Sequence, residues 1–116
     1  VYPATKAYVL AFTQSLHAEL APCGVTVQAV LPGATRTPIW EAAGVDFDTL
    51  PAAMLMEVDA MVDAALAGLD LGEAVTIPSL PDAADWAAYE SARAHLQPNL
   101  SRNVPAQRYL AKAAAA

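Results

Sequence analysis

The chain has 116 residues, 56% of them hydrophobic, with six Lys/Arg against twelve Asp/Glu and a net charge of −6. That length holds one small domain at most, and so apolar a composition in so short a chain implies a core that its own elements cover only in part. The acidic balance, without a basic patch, excludes a nucleic-acid partner and an anionic membrane surface, and no run reaches the roughly 18 apolar residues that would cross a bilayer.

The first predicted element is a helix from about Pro3 to Ala21. Proline suits the first helical turn, where its missing N–H would be unpaired anyway. Tyr2, which precedes it, is expected at the cap, outside the α region. Pro22 and Gly24 end the helix. Small residues (Ala4, Ala7, Ala11, Ser15, Ala18) form one stripe, and Tyr8, Phe12, Leu16 and Leu20 form a bulkier one beside it. Such a helix needs partners on two sides.

Val25 to Leu31 reads VTVQAVL, nearly continuous and valine-rich, which predicts a strand of a parallel sheet buried on both faces. Residues 32 to 53 hold three prolines, two glycines and Trp40. The stretch is too long for an ordinary connection, so a functional loop with short helical turns is expected. A second helix spans about Met56 to Leu69, with Val58, Met61, Val62, Ala65, Leu66 and Leu69 on one face and Gly72 just past its end. Ala74 to Leu80 is a second strand, placed at a sheet edge by Pro78. Strand, helical crossover and strand predict one βαβ unit with two parallel strands. Asp82 should cap a third helix from Ala83 to Leu96, with Trp86, Tyr89, Arg93 and Leu96 along one side, stopped by Gln97-Pro98-Asn99. The tail from Leu100 to Leu110 is polar with isolated apolar anchors, and Ala111 to Ala116 is a low-complexity end expected to be disordered.

Two places carry chemistry. Tyr2 and Lys6 are four residues apart, so Lys6 lies one turn below Tyr2 on the helix. An ordinary phenol, with pKa about 10, exchanges protons poorly near neutrality. A cation about 4 Å away favours the phenolate by about 4 kcal/mol at an effective dielectric of about 20, but by only about 1 kcal/mol in water. The pair therefore suits general acid–base work in a site walled off from solvent. By itself Tyr-x-x-x-Lys is a weak signal, since a packed tyrosine beside a solvated lysine looks the same. The second place is Pro32-Gly33-Ala34-Thr35-Arg36-Thr37, at the carboxyl end of the first strand, where open parallel sheets bind ligands. Gly33 permits close approach of a ligand to the backbone, and Thr35 and Thr37 supply hydroxyls. The plain alternative is an ordinary strand-to-loop turn.

The other residues carry less. His17 and His95 have no ligand cluster near them and read as surface or packing histidines, so no metal site is expected. Cys23, the one cysteine, allows no intrachain disulfide. With no charge partner in view it reads as an inert thiol, and it agrees with a reducing cytoplasm. No leader pattern is visible.

Tyr-x-x-x-Lys opening a helix, then a valine strand, then Pro-Gly-x-x-x-Thr together resemble the C-terminal half of short-chain dehydrogenases/reductases, over about residues 1 to 80. The resemblance implies an α/β fold, the C-terminal portion of a Rossmann-like doubly wound parallel sheet, incomplete as it stands. It implies an NAD(P)(H)-dependent oxidoreductase that interconverts a small-molecule alcohol and carbonyl. Tyr2 would be the proton donor or acceptor. Lys6 would assist it and hold the nicotinamide ribose hydroxyls. Pro32 and Gly33 would lie against the nicotinamide, the backbone near Thr35 would meet the carboxamide, and the Thr37 hydroxyl would meet the carboxamide or the pyrophosphate. Residues 38 to 53 would form the substrate lid, with Trp40 as its substrate contact or, alternatively, as lid packing. The first helix resembles the one through which full-length members form dimers and tetramers. The family's glycine-rich loop, the residue that selects NAD or NADP, and the upstream catalytic serine and asparagine have no counterpart here. A fragment is therefore expected, inactive alone, with residues 81 to 116 as a C-terminal extension. The alternative is a truncated, non-catalytic module that pairs with relatives through the first helix.

Overall fold

In the computed structural model residues 1–110 are described, and the Ala-rich end expected to be disordered lies outside them. The chain divides into two units, Val1–Leu80 and Pro81–Ala116.

The first unit opens with α1 (Tyr2–Leu20). The helix starts one residue earlier than Pro3, so Tyr2 lies inside it and Val1 is the cap. The bias of a pre-proline residue against the α region is steric and modest. Here it is overridden by the first turn, in which Thr5 N–H donates to the Val1 carbonyl at 3.1 Å and the Thr5 hydroxyl to the Tyr2 carbonyl at 2.7 Å. A 3₁₀ turn, Ala21–Cys23, follows, and Gly24 then takes a φ of 73°, which favours glycine. No residue of α1 is buried, and Tyr8 and Phe12 stack in parallel on its outer face with ring centroids 5.8 Å apart.

The first strand is far shorter than the apolar run. β1 (Ala29–Val30) pairs in parallel with β2 (Val75–Thr76), Ala29 opposite Val75 and Val30 opposite Thr76. A ladder persists only where both chains offer facing groups. Here Ala29 N–H donates to the Ala74 carbonyl and Leu31 N–H to the Thr76 carbonyl. Past Thr76 the second chain leaves the ladder, because Pro78 lies in a turn closed by Leu80 N–H on the Ile77 carbonyl at 3.0 Å. Before Ala29 the backbone is held from the side instead. His17 Nδ1 on α1 lies 2.9 Å from the Val27 carbonyl oxygen. The expected burial on both faces does not hold: Val25 is 46% exposed, and Ala29 is the one buried apolar side chain among the described residues. His17→Ala is expected to cost about 1–2 kcal/mol, since the Val27 carbonyl loses its partner in a half-buried place. An unchanged urea midpoint would refute that role.

α3 (Val58–Asp70) links the two strands and completes the parallel βαβ unit. It meets the sheet through a close approach and a polar network. Gly68 is buried against Thr76. Gln28 Nε2 donates to the Ala65 carbonyl at 2.9 Å and to Thr76 Oγ1 at 2.8 Å, and the Thr76 hydroxyl donates to Glu73 Oε2 at 2.8 Å. Gly72, with φ 78°, ends the helix as its position predicts.

The second unit is built on α4 (Ala83–Leu96). Asp82 caps it by accepting from Ala84 N–H at 2.8 Å, and Trp86 and Tyr89 lie together on one side. Glu90 accepts from Arg93 and raises the pKa of its guanidinium. A 3₁₀ turn at Gln97–Asn99 ends the helix, and a single turn, α5 (Gln107–Leu110), lies in the polar tail.

Candidate functional site

Each predicted site residue belongs to the first unit. Tyr2 and Lys6 occupy the first two turns of α1, and Lys6 Nζ sits over the Tyr2 ring, 5.3 Å from its centroid. Tyr2 is 71% exposed, so the described residues leave the phenol open to solvent.

The Pro-Gly loop begins where β1 ends. The chain reverses after α1 and β1 runs back beside it, with His17 near one end of the helix facing Val27. From His17 back to Tyr2 the helix rises about 22 Å. From Val27 to Gly33 an extended chain advances about 20 Å. A chain of that reach is long enough to return the loop toward the end of α1 that holds Tyr2.

Pro32 and Gly33 are exposed, whereas Thr35 is 7% exposed. A Cβ built on Gly33 would meet only Ser79 Oγ, at 3.8 Å, an ordinary contact. The glycine therefore presents an open backbone face, with the Ser79 hydroxyl beside it. The Thr35 hydroxyl donates to the Gly33 carbonyl at 3.2 Å and is committed to shaping the loop. Thr37 is half-buried, and its carbonyl accepts from Trp40 N–H at 3.3 Å.

Beyond the loop, residues 37 to 55 make an excursion with a closed base. Thr35 bridges in parallel to Met56: Arg36 N–H donates to the Met56 carbonyl at 2.9 Å, and Met56 N–H to the Ala34 carbonyl at 3.0 Å. Arg36 also pairs with Glu57 at 3.0 Å, an exposed pair worth at most about 1 kcal/mol. Inside the excursion lie α2 (Ile39–Ala42) and two 3₁₀ turns, Phe47–Thr49 and Ala52–Met54. The Trp40 indole N–H donates to the Thr35 carbonyl at 2.8 Å. Its ring meets Phe47 edge-on at 6.3 Å, and the Arg36 guanidinium lies over Phe47.

Sequence reasoning did not anticipate Ser79, the Met56 clamp or the Gln28–Thr76–Glu73 network. Gln28 and Thr76, polar residues inside apolar runs, were the available signal for the last. Nothing local marks Met56 or Ser79, which are brought in from 21 and 46 positions away, by difference from Thr35 and Gly33. Among the described residues no three of His, Cys, Asp and Glu gather into a cation site, and no helix is long and apolar enough to cross a membrane.

The predicted residues offer an ammonium, a phenol, an open glycine face and hydroxyls, groups able to hydrogen-bond a polar ligand.

Comparison with known proteins agrees. The short chain dehydrogenase family model matches residues 1–46. An uncharacterized oxidoreductase of Staphylococcus epidermidis is 53% identical over 47 residues, covering 40% of this chain and 20% of the relative. The putative ketoacyl reductase of the monensin polyketide synthase from Streptomyces virginiae is 38% identical over 65 residues, covering 53% of this chain and 25% of the relative. Among solved structures, a short-chain dehydrogenase from Sphingobium yanoikuyae in complex with NADPH is 54% identical with a TM-score of 0.85. That likeness covers 93% of this chain and 41% of the other. The bulky-bulky ketone specific alcohol dehydrogenase from Comamonas testosteroni is 47% identical with a TM-score of 0.78, over 94% of this chain and 39% of that one. The chain thus spans about two-fifths of these solved structures and a fifth to a quarter of the curated relatives. In its helix, parallel βαβ unit and Pro-Gly loop, together with these likenesses, the chain is similar to short-chain dehydrogenases/reductases and carries part of a Rossmann-like α/β fold.

Proposed function

We propose that the natural polypeptide carrying this chain is an NAD(P)-dependent oxidoreductase that interconverts an alcohol and a carbonyl. The observation that carries this reading is the Tyr2–Lys6 pair, one turn apart at the start of α1 with Lys6 Nζ over the Tyr2 ring. The likeness to an NADPH-bound short-chain dehydrogenase supports it.

When bound, the nicotinamide dinucleotide gives or takes the hydride at the substrate's carbonyl carbon. The chain's own residues handle the rest. The Tyr2 hydroxyl gives its proton to the carbonyl oxygen in reduction and takes it back in oxidation. Lys6 stabilises the phenolate left behind and binds ribose hydroxyls. Pro32, Gly33 and the Thr35 backbone would hold the nicotinamide and its carboxamide, and the Thr37 hydroxyl would bind the carboxamide or the pyrophosphate. Residues 38 to 53 form the substrate lid, with Trp40 packed inside it against Phe47 and the Thr35 carbonyl. Residues 81–116 form a C-terminal extension to this domain. The exposed outer face of α1, with Tyr8 66% and Phe12 49% exposed, suits pairing with a second copy. A cytoplasmic setting fits the free thiol of Cys23.

The test is reduction of a small ketone by the natural polypeptide with NADH and with NADPH, followed through consumption of the reduced dinucleotide. Turnover with at least one is expected; folded protein inert with both across a ketone panel would reject the reading. The 116-residue chain alone is expected to show no turnover and to self-associate through its exposed apolar faces, as size-exclusion chromatography would report. Tyr2-dependent activity from a monodisperse 116-residue chain would contradict that expectation.

A further inference from the structure

The Thr35 peptide groups are oriented from two sides. On one side, Met56 takes the Ala34 carbonyl and the Arg36 N–H. Peptide units are planar and trans, so the Thr35 N–H points opposite to the Ala34 carbonyl, and the Thr35 carbonyl opposite to the Arg36 N–H. Both Thr35 groups are therefore turned away from Met56, toward the side on which the Trp40 indole donates to the Thr35 carbonyl at 2.8 Å. The Thr35 N–H itself finds no acceptor among the described residues, although the residue is 7% exposed. An unpaired N–H on a residue this little exposed calls for a partner.

From this arrangement we infer that Trp40 is a positioning residue, which acts through the Thr35 backbone rather than by touching substrate. This inference rests on the proposed dinucleotide-binding function. By taking one of the two lone pairs of the Thr35 carbonyl, the indole leaves the Thr35 N–H as the group of that edge with no partner at all. Such an edge selects the carbonyl oxygen of a ligand amide over its NH₂ group. Trp40 also ties the lid to that edge. It lies in the single turn of α2, its carbonyl accepts from Val45 N–H at 2.9 Å, and its ring meets Phe47, so the first part of the lid and the ligand-facing peptide share one anchor.

The test replaces the Trp40 indole in the natural polypeptide by benzothienylalanine, which keeps the fused ring but carries sulfur in place of N–H. NADH and NADPH dissociation constants, kcat, the KM for a ketone and Tm are measured together. Loss of the single N–H is expected to raise the dinucleotide Kd about fivefold to tenfold, with the ketone KM unchanged. Phe47→Leu, which keeps the indole donor, is expected to hold that Kd within about twofold while lowering Tm. A purely structural Trp40 would lower Tm in the isostere and leave Kd alone. A substrate-contacting Trp40 would raise the ketone KM when the ring is cut back in Trp40→Ala and leave the dinucleotide Kd unchanged. Either result overturns the inference. If wild-type protein binds neither dinucleotide, the functional reading falls and takes this one with it. If it binds and the isostere binds equally, only the role of Trp40 falls.

Discussion

Tyr2→Phe in the natural polypeptide is expected to lower kcat by about 10²- to 10⁴-fold, the range a positioned proton donor contributes. That corresponds to about 3–5 kcal/mol of barrier. The same change should leave stability and dinucleotide affinity near wild type. Tyr2 is 71% exposed on the first turn of α1, so removing its hydroxyl opens no cavity and strands no buried partner. The separation matters because a merely structural tyrosine would show the opposite pattern, with lower stability and normal turnover. Lys6→Ala should differ from both. The lysine is assigned to the phenol and to the ribose hydroxyls, so it should lower kcat and also weaken dinucleotide binding by about tenfold. A Tyr2→Phe enzyme with kcat within a few-fold of wild type would remove the phenol from the chemistry.

Gly68→Ala should destabilise the fold by about 2 kcal/mol or more, although alanine is the better helix former by about 1 kcal/mol. The added methyl would lie 2.7 Å from Thr76 Cγ2, 2.8 Å from Glu73 Oε2 and closer still to Thr76 Oγ1. Thr76 cannot swing aside cheaply, because a β-branched side chain has few rotamers and its hydroxyl is bonded to both Gln28 and Glu73. Overpacking costs about 1–3 kcal/mol, and each broken half-buried hydrogen bond adds about 1 kcal/mol, so steric crowding outweighs helix propensity. The double variant Gly68→Ala with Thr76→Ala should recover much of the loss, since it clears the space the methyl needs. Chemical denaturation of the natural polypeptide measures both. A Gly68→Ala protein as stable as wild type would mean that α3 does not approach β2 this closely.

The adjacency of Tyr2 and Lys6 and the order of the elements were legible in the residues themselves. Tyr2 and Lys6 are neighbours by helix periodicity alone, and proline, glycine and a capping aspartate punctuate the helices locally, as Gly72 and Asp82 show. The parallel pairing of the two strands also followed from sequence, because a helical crossover between strands permits little else. Tertiary structure decided what depends on distant partners. Strand length was one such feature: VTVQAVL has strand character throughout, yet only Ala29–Val30 becomes a strand, because a ladder needs facing groups and Pro78 takes them away. The start of α1 was another, since the pre-proline bias at Tyr2 gives way to the hydrogen bonds of the first turn. The lid base was the third. Met56 clamps Ala34 and Arg36 through backbone groups that every residue carries, and the Trp40 indole bonds a Thr35 carbonyl that no side-chain pattern marks as its partner. Local chemistry is written residue by residue, whereas pairing between distant backbone groups is settled only when the chain closes on itself.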